Sequence, residues 1–185
     1  MTITNLPTDS VIASANGRFN LANSHVEHPP YSRQYLANLI ANLIRISGAD
    51  PAAALPSLAE PALYALAAAI ATNDPSRGEN LPNDFITALL AELRWRNRRA
   101  MGANPTGPVR RGRLIQLVTT CTTLHAPGPS PAQTHKLVGP CPFCSSTRFQ
   151  LFLPSVRWRC FDCERQGALL EFAESLLLTA LDRNQ

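Results

Sequence analysis

Two Cys-x-x-Cys pairs, Cys141/Cys144 and Cys160/Cys163, lie near the end of this chain with fifteen residues between them. No other feature constrains the fold as much. A Cys-x-x-Cys turn places two sulfurs on one side of an ion, and a second turn supplies the other two. Zinc takes four such ligands with sulfur at about 2.3 Å, and four thiolates leave no position for water. The expected ion is therefore a structural Zn2+ rather than one that activates water. Two other uses of paired cysteines fit less well. Disulfides belong to oxidising compartments, the N-terminus lacks a secretory pattern, and five cysteines leave one over. A thioredoxin-like motif needs a single pair opening a helix within an α/β unit. The expected setting is a reducing cytoplasm.

The stretch RFQLFLPSVRWRC (Arg148–Cys160) reads as a β-hairpin with its turn at Pro154-Ser155. Its flanks alternate with period two. Setting Leu153 opposite Val156 puts Leu151 opposite Trp158 and Phe149 opposite Cys160, all on one face. The other face then carries Arg148, Gln150, Phe152, Arg157, Arg159 and Phe161. A slip by one residue would mix the faces, so the pattern specifies the register. Pro154 is incompatible with the positive φ of a primed turn, which leaves the turn type open. After Cys163, the residues Leu169, Phe172, Ala173, Leu176, Leu177, Ala180 and Leu181 follow helical spacing. That helix is expected to cover the apolar face of the hairpin. A module of about 50 residues has too little core to stand alone, and a bound metal supplies the missing stability.

The second face has a use. Arginines attract phosphates irrespective of sequence, and aromatics on a strand offer bases a stacking surface worth roughly 1–3 kcal/mol each. Arg148, Phe152, Arg157, Arg159 and Phe161 are thus the candidate nucleic-acid face. The competing reading is a solvated strand whose two phenylalanines pack on the N-terminal part.

These residues resemble the CHC2-type zinc-binding domain of bacterial DnaG-type DNA primases. The likeness rests on LVGPCPFC (Leu137–Cys144), the hairpin arginines and aromatics, RCFDC (Arg159–Cys163) and Gly167 before the apolar helix. RLIQLVTTCTTL (Arg113–Leu124) is similar to the helix-then-strand that precedes the first knuckle in that family. The likeness spans about Arg113–Leu181. It implies a domain that binds single-stranded template DNA. Three departures stand out. Cys144 occupies a position where the family usually has His, and Glu164 one where it often has Gly. The long polymerase core with clustered acidic residues has no counterpart, and no Asp-x-Asp pair occurs in the chain. The expectation is a protein without catalysis of its own. The alternatives are an adaptor module with structural zinc and the template-binding subunit of a split primase.

Residues 1–30 are polar without a sustained period, and His25 and His28 there read as solvated loop histidines. Ser32 is placed to cap a helix to about Ser47, with Gly48 as its stop and Tyr35, Leu36, Leu39, Ile40, Leu43 and Ile44 as its stripe. A second helix is expected from about Ser57, with Glu60 completing a capping box. A third is expected from near Asn83 to about Met101. Three helices with short connections suggest a small bundle. It would dock a partner such as a helicase or primase core. No apolar run is long enough for a membrane span.

Sixteen of the seventeen cations are arginine, which favours phosphate or carboxylate recognition. Seven of them, Arg94, Arg96, Arg98, Arg99, Arg110, Arg111 and Arg113, crowd the end of the third helix and the segment after it. The helix macrodipole accounts for one or two. Arg96, Arg99, Arg110 and Arg111 are therefore added to the candidate nucleic-acid contacts. Thr119–Leu124 has strand propensity and His135–Val138 reads as a strand. Cys121 is expected to be a buried small hydrophobe outside the ligand set. The expected fold class is α+β: an N-terminal helical bundle followed by a small zinc-ribbon β domain with a C-terminal helix. The expected parts are an arm (1–30), a helical domain (31–101), a basic linker (102–112) and a zinc-ribbon domain (113–185).

Overall fold

A computed structural model describes residues 31–47, 50–72, 82–100, 108–128 and 135–184. The expectations for the arm with His25 and His28, for Gly48, for Met101 and for the side chains of Leu36, Ile40 and Ile44 fall outside these residues. The fold is α+β. Helix α1 (Arg33–Ser47) is followed by a short 3₁₀ helix (Pro51–Ser57), then α2 (Glu60–Thr72), α3 (Asn83–Arg99) and α4 (Pro108–Cys121). Strands β1 (Lys136–Gly139), β2 (Phe149–Phe152), β3 (Arg157–Cys160) and β4 (Gln166–Gly167) form one antiparallel sheet in the order β1-β2-β3-β4. Helix α5 (Leu169–Arg183) closes the chain.

Local chemistry explains most of these elements. The Ser32 hydroxyl accepts the Tyr35 N–H at 3.1 Å, which caps α1 as expected. Helix α2 is alanine-rich, and Ala65, Ala67 and Ala68 are fully buried, so neighbouring helices approach it closely. On α5, Leu169, Phe172, Ala173, Leu176, Leu177 and Ala180 of the expected stripe are buried, and Leu181 is half-buried against them. Helix α5 packs against α2, α3, α4 and β4.

Three expectations need correction. The second helix does not start at Ser57. Asp50 caps the 3₁₀ helix through the Ala52 N–H at 3.0 Å, and the Ser57 hydroxyl closes that helix on the Ala54 carbonyl at 2.7 Å. Glu60 then opens α2 and pairs with Arg113 at 2.7 Å instead of reaching back to Ser57. The basic linker is not a linker over residues 108–112, because Pro108–Cys121 is helix α4. Proline suits the first turn, where its missing N–H has no helical partner anyway. Nor is Thr119–Leu124 a strand. Thr119 and Thr120 lie in α4 and bond back to the Ile115 and Gln116 carbonyls at 2.8 and 2.7 Å. Leu114, Leu117 and Val118 are fully buried at helical spacing, and that burial overrides the β-branched propensity. The backbone pairing nearest the expected strand is a single bridge between His125, just beyond it, and Val138.

One large apolar cluster spans helices and sheet, with a small second one at Ala65 and Ala69. Residues of α1, α2, α3 and α4 belong to the same apolar cluster as Phe149, Leu151, Trp158 and Phe172. Among the described residues, no helix is long and apolar enough to cross a membrane.

Candidate metal centre and outer ribbon face

The hairpin has the register expected from its alternation. Leu151 pairs with Trp158 and Phe149 with Cys160. Phe149, Leu151, Trp158 and Cys160 are buried. Beneath them the rings of Phe143, Phe149, Trp158 and Phe172 meet with centroids 5.2–6.2 Å apart, mostly edge-on or tilted. The Trp158 indole N–H donates to the Ala168 carbonyl at 2.9 Å. The turn problem posed by Pro154 is solved at Val156, which takes the positive φ of 52°. A β-branched residue is strained there, and Val156 is held by burial.

Each knuckle hangs from a strand end. The first follows β1: the Cys141 N–H donates to the Ser146 carbonyl at 2.7 Å, and the Ser145 N–H to the Cys141 carbonyl at 2.8 Å. The second follows β3, where the Cys160 N–H donates to the Arg165 carbonyl at 2.9 Å. The residue after each second cysteine is left-handed, Ser145 at φ 60° and Glu164 at φ 59°. Gly139 lets β1 press against the segment after α4, since a Cβ there would lie 2.2 Å from the Thr123 carbonyl oxygen.

All four cysteines are free thiols, and their sulfurs lie within 4.8 Å of one another. Cys141 and Cys163 are 3.9 Å apart, and Cys144 and Cys160 are 3.6 Å apart. Disulfide sulfurs would be separated by only about 2.05 Å. A tetrahedron with about 2.3 Å metal–sulfur bonds has edges of about 3.8 Å, close to both observed pairs. Electrostatics agree. Burial disfavours the Cys160 thiolate, yet N–H groups of Cys163 and Asp162 and the neighbouring thiols bring it down to about 7. Burial pushes the Cys141 and Cys163 thiols up, against backbone N–H groups that favour their thiolates. A divalent cation would relieve that opposition by drawing out the remaining protons. The residues thus fit a metal, which Cys141, Cys144, Cys160 and Cys163 would hold and which would cross-link the two knuckles. Cys121 is separate from this set, in the last turn of α4, where burial pushes its thiol up to about 12.

The second face of the hairpin also has the expected membership. Phe152 pairs with Arg157 and Gln150 with Arg159, while the Phe161 N–H donates to the Arg148 carbonyl at 3.3 Å. Arg148, Arg157 and Arg159 are exposed, and Phe152 and Phe161 are half-exposed and outside the apolar core. Arg159 lies 4.8 Å and Arg148 5.8 Å from the Phe161 ring centre. Arg148 also pairs with Asp162 at 2.9 Å, and Asp162 accepts the Ser146 hydroxyl, linking the two knuckles.

The second arginine group is divided among several tasks. Arg96 donates to Glu92 at 2.6 Å and to the carbonyls of Leu55, Pro56 and Leu58, so its guanidinium is engaged inside the fold. This removes the main reason for including it among nucleic-acid contacts. Arg94 pairs with Glu174 at 2.7 Å, and Arg99 lies over Trp95 at 4.7 Å. Arg110 and Arg111 are half-buried on α4. Sequence reasoning missed Arg165, which spans from the second knuckle to α5: it lies 5.2 Å from the Phe143 ring and donates to Thr179 at 2.8 Å.

Glu164 yields a direct test of knuckle strain. Its Glu164→Gly variant is expected to be more stable by about 1 kcal/mol, because the left-handed conformation penalises a Cβ. Urea denaturation of the metal-loaded protein measures this; an unchanged or lower midpoint would contradict it. No family model, curated protein or solved structure matches this chain.

Proposed function

We propose that this protein is a zinc-ribbon protein that binds single-stranded nucleic acid, DNA in preference, and has no catalysis of its own. The four thiolates hold Zn2+, and the ion stiffens the ribbon. The observation that supports this reading most is the face on which Arg157 and Arg159 are exposed while Phe152 and Phe161 stay outside the core. Cations and flat rings on one short surface suit a phosphate backbone with stackable bases. The resemblance to primase zinc domains points to replication, priming or mobile-element maintenance, in the cytoplasm. The helical part would then meet a helicase or primase core.

Fluorescence anisotropy with a labelled single-stranded oligonucleotide tests this. Contacts from the three exposed ribbon arginines predict a slope of log K against log salt of about −2. Arg157→Glu with Arg159→Glu should weaken binding by roughly a hundredfold or more, with circular dichroism and zinc content unchanged. Absence of wild-type binding even at low salt would overturn the proposal.

A further inference from the structure

Away from the ribbon, an open groove of about 470 Å³ runs between the 3₁₀ helix and α3. Its walls and floor are Ala52, Leu55, Pro56, Ala88, Ala91 and Trp95, with Glu92 and Arg98 at the rim. Trp95 is 45% exposed, among the few large apolar side chains left in solvent. The alanines make the concavity, since longer side chains at those positions would fill it.

The groove is preformed. Arg96 ties the carbonyls of Leu55, Pro56 and Leu58 to α3, and its Nε holds Glu92 at 2.6 Å. The two walls are therefore fixed to each other, and a ligand entering between them has little ordering to impose. The same bond neutralises the rim's carboxylate. Arg98 at the rim and Arg99, stacked on Trp95 beside it, are exposed and form no ion pair among the described residues, so this end of the groove is net positive.

We infer that this groove docks an acidic amphipathic peptide segment of a partner protein. Apolar side chains of the segment fill the alanine-floored trough against Trp95, and its carboxylates meet Arg98 and Arg99. Exposed tryptophan and arginine at a concave apolar surface are the residue types that dominate protein interfaces. A nucleic acid suits the site less well. Arg99 already covers one face of the Trp95 ring at 4.7 Å, and the aliphatic trough gives bases no polar partners, leaving phosphates only the arginines at its edge.

The test uses the full chain and two synthetic peptides with the same leucine and isoleucine face. One carries Glu and Asp on its polar face, the other Lys. Acrylamide quenching reads Trp95, because Trp158 is buried. The acidic peptide should bind and shield Trp95, and the basic peptide should do neither. Ala91→Arg, at an exposed helical position, should block the groove and weaken binding by roughly tenfold or more. Arg98→Glu with Arg99→Glu should weaken it similarly. Ala91→Arg should leave oligonucleotide affinity at the ribbon unchanged, which separates this inference from the proposed function. Equal binding of both peptides, or wild-type affinity in Ala91→Arg, would overturn the inference. So would shielding of Trp95 by an oligothymidine, by self-association, or in the free monomer, where the chain itself would be the occupant.

Discussion

Replacing Cys160 by serine is expected to release the metal and unfold the C-terminal half. Cys160 is fully buried, and its sulfur faces the N–H groups of Asp162 and Cys163 beside the other three thiols. A serine hydroxyl keeps its proton near neutral pH and is a poor zinc ligand, so a three-thiolate remnant is left with an open side. Structural zinc contributes about 10–16 kcal/mol of binding free energy in small zinc modules, comparable to the whole stability of a domain at about 5–15 kcal/mol. The sheet strands are four residues or shorter. Without the cross-link they have little to hold them. Elemental analysis should show zinc lost from Cys160→Ser and kept in Cys121→Ser, whose thiol lies outside the cluster. Circular dichroism should lose its cooperative melt in the first variant only. Stoichiometric zinc in Cys160→Ser, or an unchanged melt, would refute the centre.

Phe172→Ala is expected to cost about 3–5 kcal/mol without touching a ligand. Phe172 is fully buried, and its ring meets Phe143, Phe149 and Trp158 at 5.3, 6.2 and 5.2 Å. It is the point where α5 enters the apolar face of the hairpin. Truncation to alanine leaves three rings facing a cavity that rigid strands and knuckles cannot close. Leu178→Ala, at an exposed position on the same helix, should change stability by less than about 0.5 kcal/mol. Denaturant titration of both variants with zinc present makes the comparison. A loss below about 1 kcal/mol for Phe172→Ala would mean that the four rings do not form a packed unit.

What the sequence made legible follows period and spacing. Cysteine spacing identified the four thiols that the fold gathers, because a metal site's geometry imposes few chain separations. Alternation in Phe149–Cys160 identified both faces of the hairpin, since an error of one residue would bury arginines. The stripe of α5 was equally clear. The strand expected at Thr119–Leu124 failed for a different reason. Propensity there is local, whereas burial of Leu114, Leu117 and Val118 depends on helices distant in the chain. Ser57 and Glu60 have the spacing of a capping box, but nothing in that pair shows that Asp50 caps an earlier turn or that Arg113 claims the carboxylate. The crowding of arginines was visible, and its partition was not. Arg96 finds carbonyls about forty residues away, at positions no local pattern marks.

Helix α5 touches β4 and helices α2, α3 and α4, and among the described residues one large apolar cluster takes in side chains of both the helices and the sheet. The helices and the ribbon thus share buried surface. A ribbon transplanted alone would carry a bare greasy flank into water, and a change of volume on α2 must be answered on α5. Packing lost on either side of α5 is therefore expected to weaken the other side as well.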